Sequence, residues 1–176
     1  PKESTNEIVE GRYEIHFKST KRIQKVFNFV KASNFECKTD FHLTLLYINR
    51  ALANALNDGG AQTQPMNDAI KMYKLLKTSS IPVVLEYVAA NHRVMAIKCS
   101  VVQDKQNPIP YFDVIPHISI AKVPDAQFRE CNDLIQQIEI LRLNPGSIKP
   151  DNIMWIDLND SEPLDGRIRW AKHGSK

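Results

Sequence analysis

Along the chain the spacing of apolar positions changes several times, and each change marks an element. In residues 12–18, RYEIHFK, Tyr13, Ile15 and Phe17 alternate with Arg12, Glu14, His16 and Lys18, the period of two expected of a strand with one covered face. On that reading His16 shares a solvated face with Arg12, Glu14 and Lys18. From Thr20 the period lengthens: Ile23, Val26, Phe27 and Val30 fall at i, i+3, i+4 and i+7, one stripe of a helix. FHLTLLYI, residues 41–48, is a short apolar run and predicts a strand covered on at least one face. Gly59 and Gly60 sit in a polar stretch that reads as a loop. A second helix starts near Pro65, a favoured first-turn residue, and carries Ala69, Ile70, Tyr73 and Leu76.

Two further runs, IPVVLEYVA at 81–89 and RVMAIKCSVV at 93–102, flank Ala90-Asn91-His92 and predict a hairpin. HISIAKV predicts another strand. After Pro124 a third helix shows Phe128, Cys131, Leu134, Ile135 and Ile138 on one face. The remainder, around IMWIDL and GRIRW, predicts one or two final strands with a basic tail. Strands interleaved with three amphipathic helices and a hairpin imply an α+β domain with an antiparallel or mixed sheet. Residues 1–10 read as a polar arm or linker and 11–176 as one domain, with Pro1 consistent with excision from a longer polypeptide.

Composition narrows the class. The chain has 176 residues, 43% of them apolar and 24% charged, enough to bury a substantial core without long low-complexity runs. No apolar stretch approaches the roughly 20 residues of a membrane span, and no signal peptide opens the sequence. Cys37, Cys99 and Cys131 are odd in number and form no CxxC pair, which argues against a disulfide framework and against zinc. A reducing compartment, nucleus or cytoplasm, is the corresponding expectation. The net charge of +3 is compatible with a polyanionic partner but does not require one.

The chemistry lies in a repeated phrase. His42-Leu43-Thr44-Leu45 and His117-Ile118-Ser119-Ile120 have the same form, histidine, apolar, hydroxyl, apolar. From general residue frequencies any one histidine opens this pattern about twice in a hundred, so two among five histidines is a strong departure from chance. In a strand, side chains i and i+2 share a face, so each phrase makes a polar pair of imidazole and hydroxyl on an otherwise apolar strand. Two imidazoles can divide general acid and general base work near neutral pH, and the hydroxyls can donate to phosphate oxygens. No carboxylate cluster accompanies the two phrases in the sequence, so the implied chemistry is metal-independent phosphodiester cleavage with no cofactor.

These residues carry a family resemblance. The paired phrases resemble the signature of the two-histidine phosphoesterase superfamily. FHLTL, IPVVLEYVAANHRVMAIKCSV, PHISIAKV and ECNDLI, in that order, resemble the carboxy-terminal cyclic phosphodiesterase domain of fungal tRNA ligase over about residues 40–135. The stretch after Asn144 is not covered, and Ser119 stands where the family often has threonine. The resemblance implies a bilobal fold, two antiparallel or mixed sheets facing a central cleft with helices outside and one phrase on a central strand of each lobe. It implies hydrolysis of an RNA 2′,3′-cyclic phosphate to a 3′-hydroxyl and a 2′-phosphate, the end needed to seal tRNA halves. It also implies covalent linkage to ligase and polynucleotide kinase domains, no membrane partner and a monomeric domain.

By the same analogy His117 activates water, His42 protonates the departing O3′, and Thr44 and Ser119 hold the phosphate, although the sequence cannot break the near-symmetry of the two imidazoles. Lys122, Asn132 and Tyr111 are candidate RNA contacts, Tyr111 by stacking on a base. Phe112 reads as core, and the basic tail of Arg167, Arg169, Lys172 and Lys176 as a surface that can guide RNA by charge. The alternatives are a 3′ exonuclease of the same superfamily acting on small nuclear RNA, and a non-catalytic nucleotide- or RNA-binding module.

Overall fold

A computed structural model describes residues 7–30, 34–103, 106, 108–112, 115–160 and 162–173; Lys176 of the basic tail and residues 1–6 of the expected arm lie outside them. In chain order the elements are β1 (Gly11–Phe17), α1 (Lys21–Val30), β2 (Glu36–Cys37), β3 (His42–Ile48), α2 (Arg50–Asp58) and α3 (Gln64–Leu76). The second half holds β4 (Ile81–Ala90), β5 (Val94–Val101), β6 (His117–Lys122), α4 (Glu130–Leu143), β7 (Met154–Asp157) and β8 (Leu164–Lys172). Every strand that the hydrophobic pattern predicts is present. Two elements escaped it. The two-residue β2 is too short to show a period. The helix α2 was concealed by its brevity, although its ends carry signals: Asn49 Oδ1 accepts from the Leu52 amide at 2.8 Å, and Gly59 ends it at φ 77°.

The architecture corrects the expectation of two sheets facing a cleft. The strands run in the order β6-β3-β1-β8-β4-β5, all antiparallel, and β5 pairs again with β6, closing a six-stranded barrel. β2 extends the wall beside β6, and β7 pairs with β4. The physical reason is that β6 hydrogen-bonds on both sides, to β3 and to β5, so the strands bearing the two phrases are neighbours in one wall rather than members of separate sheets. Closure also removes the exposed edges that two open sheets would leave.

Ile15, Leu43, Ile97, Ile118 and Ile168 point into the ring and are buried; full burial of each stabilises the fold by about 1.5–3 kcal/mol. The alternate residues face out. Cys131, Leu134, Ile135 and Ile138 of α4 pack on Tyr87, Ala89, Val94 and Ala96, and a helix cannot fit inside a six-stranded ring. Ala96 pairs with Ser119 and Lys98 with His117, so the polar residues of the second phrase share that outer, helix-flanked face.

The two phrases are alike in backbone as well as in composition. Opposite β1, Tyr13 pairs with Leu46 and Glu14 with Thr44, so Leu45 is the extra residue of a β-bulge. Opposite β5, Met95 pairs with Ala121 and Ala96 with Ser119, leaving Ile120 in the same place. Each bulge shifts the alternation by one residue, which buries two successive apolar positions after the hydroxyl, Leu45 and Leu46 in one strand and Ile120 and Ala121 in the other.

Candidate functional site

The single pair that joins the two phrase strands is Leu43 with Ile118. Counting outward from it in an antiparallel sense sets Thr44 across from His117, and His42 across from Ser119. In that register each imidazole is set against the hydroxyl of the other phrase. His42, Thr44, His117 and Ser119 all line one cavity of about 820 Å³.

The rest of the cavity comes from elements far apart in sequence. Arg12 reaches in from β1, Lys38 from the turn after β2, and Arg129 from the start of α4, giving three cations around the four phrase residues. Lys38 lies 4.8 Å from the centre of the Phe128 ring, and burial followed by the nearby Arg12 charge pushes its ammonium below the usual lysine range. Leu46, Tyr47, Leu52, Met66 and Phe112 form an apolar side. A cationic, hydroxyl-bearing end next to an apolar slot suits a phosphate joined to a nucleoside.

The two histidines are not equivalent. His117 Nδ1 lies 2.8 Å from the Ile115 carbonyl, and since a carbonyl only accepts, Nδ1 carries the hydrogen and Nε2 presents a lone pair. His42 has no such brace: its Nδ1 is buried without a hydrogen-bond partner among the described residues. Its Nε2 stands 3.8 Å from Glu14 Oε1. Burial, then the Lys38 charge, lowers the His42 pKa to about 4, with Glu14 opposing. His42 is therefore neutral in the free cleft.

Glu14 corrects two sequence expectations. The face of β1 that alternation marks as solvated holds this carboxylate fully buried, and a carboxylate does accompany the histidines. Its oxygens accept from Arg12 Nε and, at 2.7 Å, from Arg169 Nε, and Arg169 also binds Asp40 at 2.7 Å. His16, on the same face, is half-buried. Glu14, Asp40 and His42 bring candidate ligand atoms within 4.8 Å of one another, but both carboxylates are already held by guanidinium groups, which a cation would have to displace.

The remaining predicted residues divide. Asn132 lines the cavity from the first turn of α4. Lys122 does not; its ammonium lies 5.7 Å from the Phe128 ring centre, on the rim beside the Pro124 carbonyl. Tyr111 is exposed outside the cavity lining, and its neighbour Phe112, read from sequence as core, lines the cavity instead, its amide held by the Leu45 carbonyl at 2.7 Å. The buried Cys131 thiol, beside Ser119, donates to the Met95 carbonyl, and burial pushes its pKa up to about 11. Arg12, Glu14, Lys38 and Arg129 went unrecognised in the sequence because no local motif marks them; the strand pairing and the course of the β2 turn bring them to the phrases.

No protein of curated function matches the chain. A solved structure described as that of a fungal RNA kinase superposes with a TM-score of 0.55 at 18% identity, over 90% of this chain and 45% of that one. This chain thus spans under half of that protein's length, and at such identity the likeness shows a shared fold alone. Residues 4–171, nearly the whole sequence, match the family described as the fungal tRNA ligase phosphodiesterase domain. The chain belongs to that family of tRNA ligase phosphodiesterase domains.

Proposed function

We propose that the domain opens RNA 2′,3′-cyclic phosphate ends without a metal ion, leaving a 3′-hydroxyl and a 2′-phosphate, with His42 and His117 as the catalytic pair. The observation that carries this reading is the convergence of both histidine–hydroxyl pairs, with Lys38, Arg12 and Arg129, on one cavity. Thr44 and Ser119 donate to the non-bridging oxygens, and the cations offset the charge that grows as water adds. His117 Nε2, its lone pair fixed by the bond to Ile115, takes the proton of the attacking water. The oxygen of that water bonds to phosphorus, the P–O3′ bond breaks, and His42 supplies the proton that O3′ needs.

Neutral His42 must gain that proton as the substrate binds. The cyclic phosphate brings a negative charge against the Lys38 and Arg12 charges that hold His42 down, which favours the imidazolium. After the step His117 holds the proton and His42 has lost one, so exchange with solvent resets the pair. The physiological setting in this reading is the sealing of spliced tRNA halves, with the domain joined to ligase and kinase domains.

The test is incubation with a short RNA ending in a 2′,3′-cyclic phosphate, in excess EDTA, alongside His42→Ala and His117→Ala. Ring opening that persists in EDTA and is lost in both variants supports the reading. Progressive shortening of the RNA would replace it with 3′ exonuclease action, and bound RNA with an intact ring would leave a binding module. The two roles separate with a substrate whose bridging O3′ is sulfur, because a thiolate departs without a proton. That substrate should restore activity to His42→Ala and not to His117→Ala; the reverse pattern would exchange the roles.

A further inference from the structure

A second cavity, about 720 Å³, lies on the other side of the Glu14–Arg169 wall. β8 pairs with β4 only through Leu164–Gly166, and farther along, α3 takes the place of a neighbouring strand, so a hollow opens between that helix and β8. Three aromatic rings line it, with Tyr13 in the middle: its ring centre is 4.8 Å from that of Trp170 and 5.2 Å from that of Tyr73. Lys74 in the last turn of α3 and Lys77 at its C-cap, both exposed, stand at its side with Arg169, against the single carboxylate of Glu7. None of these groups has a part in the chemistry proposed for the first cavity.

The two cavities adjoin through named residues. His16, in the second, is the strand partner of His42 in the first. Arg169 lines the second cavity while bonding Glu14 and Asp40, which flank His42. A cyclic phosphate sits at the 3′ terminus of its strand, so every further nucleotide extends from it in one direction only. Tyr73 is fully buried and backs the half-buried Tyr13 and Trp170; clustered cations beside such partly open rings are what an unpaired polynucleotide uses, charge for its phosphates and rings for its bases.

Resting on the proposed phosphodiesterase reading, we infer that this second cavity is a strand-binding site that holds the single-stranded RNA immediately 5′ of the cyclic end. The domain then recognises a polynucleotide end rather than a free cyclic nucleotide, with Lys74 and Lys77 gripping phosphates and Trp170 offering a stacking surface.

The experiment compares a nucleoside 2′,3′-cyclic monophosphate with a short single-stranded RNA bearing the same end, for wild type and for Lys74→Glu/Lys77→Glu. Both lysines are exposed, so the fold should tolerate the change. The wild type should act on the oligonucleotide with a kcat/KM at least about 10-fold higher, since each phosphate contact or stacked base is worth that order. The double variant should lose this advantage and leave monophosphate hydrolysis unchanged. Its log–log salt dependence for oligonucleotide binding should become shallower by about 1.4, for two phosphate contacts on a single strand. In a Trp155→Phe background, the oligonucleotide and not the monophosphate should quench Trp170.

An equal kcat/KM for the two substrates in the wild type, or an oligonucleotide advantage that survives in the double variant, would overturn the strand site. Failure of every protein to open the ring in either substrate would count against the phosphodiesterase reading. Oligonucleotide affinity measured by fluorescence anisotropy would still decide the strand site in that case, retained affinity in the double variant refuting it and lost affinity supporting it.

Discussion

Replacing Glu14 by glutamine removes one negative charge from beneath two guanidinium groups and from 3.8 Å beside His42. The side chain is fully buried, while those of Arg12 and Arg169 are 29% and 36% exposed. Breaking a wholly buried pair by removing one partner costs about 3–5 kcal/mol; here water reaches both arginines, so a loss of about 2 kcal/mol is expected. For a domain of this size that lowers Tm by roughly 4–8 °C. The electrostatic effect has a definite sign. Glu14 favours protonated His42, so Glu14→Gln moves the His42 ionisation below about 4. The pH profile of kcat/KM, which reports the free enzyme, should have an acidic limb near 4 in the wild type and a lower one in the variant. With Arg12 no longer tethered, kcat/KM at neutral pH should fall by up to about 100-fold, as expected for a displaced group in the site. Cyclic-phosphate hydrolysis from pH 3.5 to 8, with thermal unfolding of the same samples, measures all three. A variant that loses stability but keeps the limb in place would show that Glu14 supports the fold and has no hold on His42.

Lys38→Met should act in the opposite direction. It removes the charge that ranks second, after burial, in holding His42 down, so the acidic limb should move upward from about 4, while KM rises by about 10-fold for loss of an anion contact; an unmoved limb would refute that coupling. Stability should depend on pH through the same residue. Unfolded His42 takes up its proton near 6.5 and folded His42 near 4, so between those values the unfolded chain binds more protons and stability falls as pH falls, by up to about 3 kcal/mol at pH 4. The difference in urea-unfolding free energy between wild type and His42→Asn should change by that order from pH 7 to pH 4, and a constant difference would contradict it. Gly166→Ala tests the barrel interior: its Cβ would lie 2.3 Å from Ile15 Cγ2, so overpacking should cost about 1–3 kcal/mol by urea denaturation.

The sequence was legible where a physical pattern is local. Alternation placed β1, the apolar segments FHLTLLYI, RVMAIKCSVV and HISIAKV placed β3, β5 and β6, the helical stripe of Ile23, Val26 and Phe27 placed α1, and Pro65 marked the first turn of α3. The polar faces of the two phrases were legible for the same reason: His42 and Thr44 had to share a side once the strand was granted. Illegible features depended on partners elsewhere in the chain. Glu14 looks solvated by alternation, yet the pairing of β1 with β3 and β8 sets it across from Thr44 on one side and Arg169 on the other, which buries it. Sequence chemistry assigned Tyr111 to the RNA and Phe112 to the core, the reverse of their relation to the cavity, which Phe112 lines with its amide bonded to the Leu45 carbonyl.

The amino-acid sequence by itself determined the elements, the doubled histidine–hydroxyl phrase and, through the order of its segments, the family. Side-chain period and residue chemistry are properties of a few neighbouring residues, so they survive without knowledge of the fold. Tertiary structure alone decided that the phrases lie side by side in one closed wall, because β6 pairs with both β3 and β5. It also decided that His42 is held neutral while His117 is braced for proton transfer. Burial, the approach of Lys38 and the carbonyl of Ile115 are set by which strands meet, and the energy of that meeting is shared among side chains too distant in sequence to form a pattern.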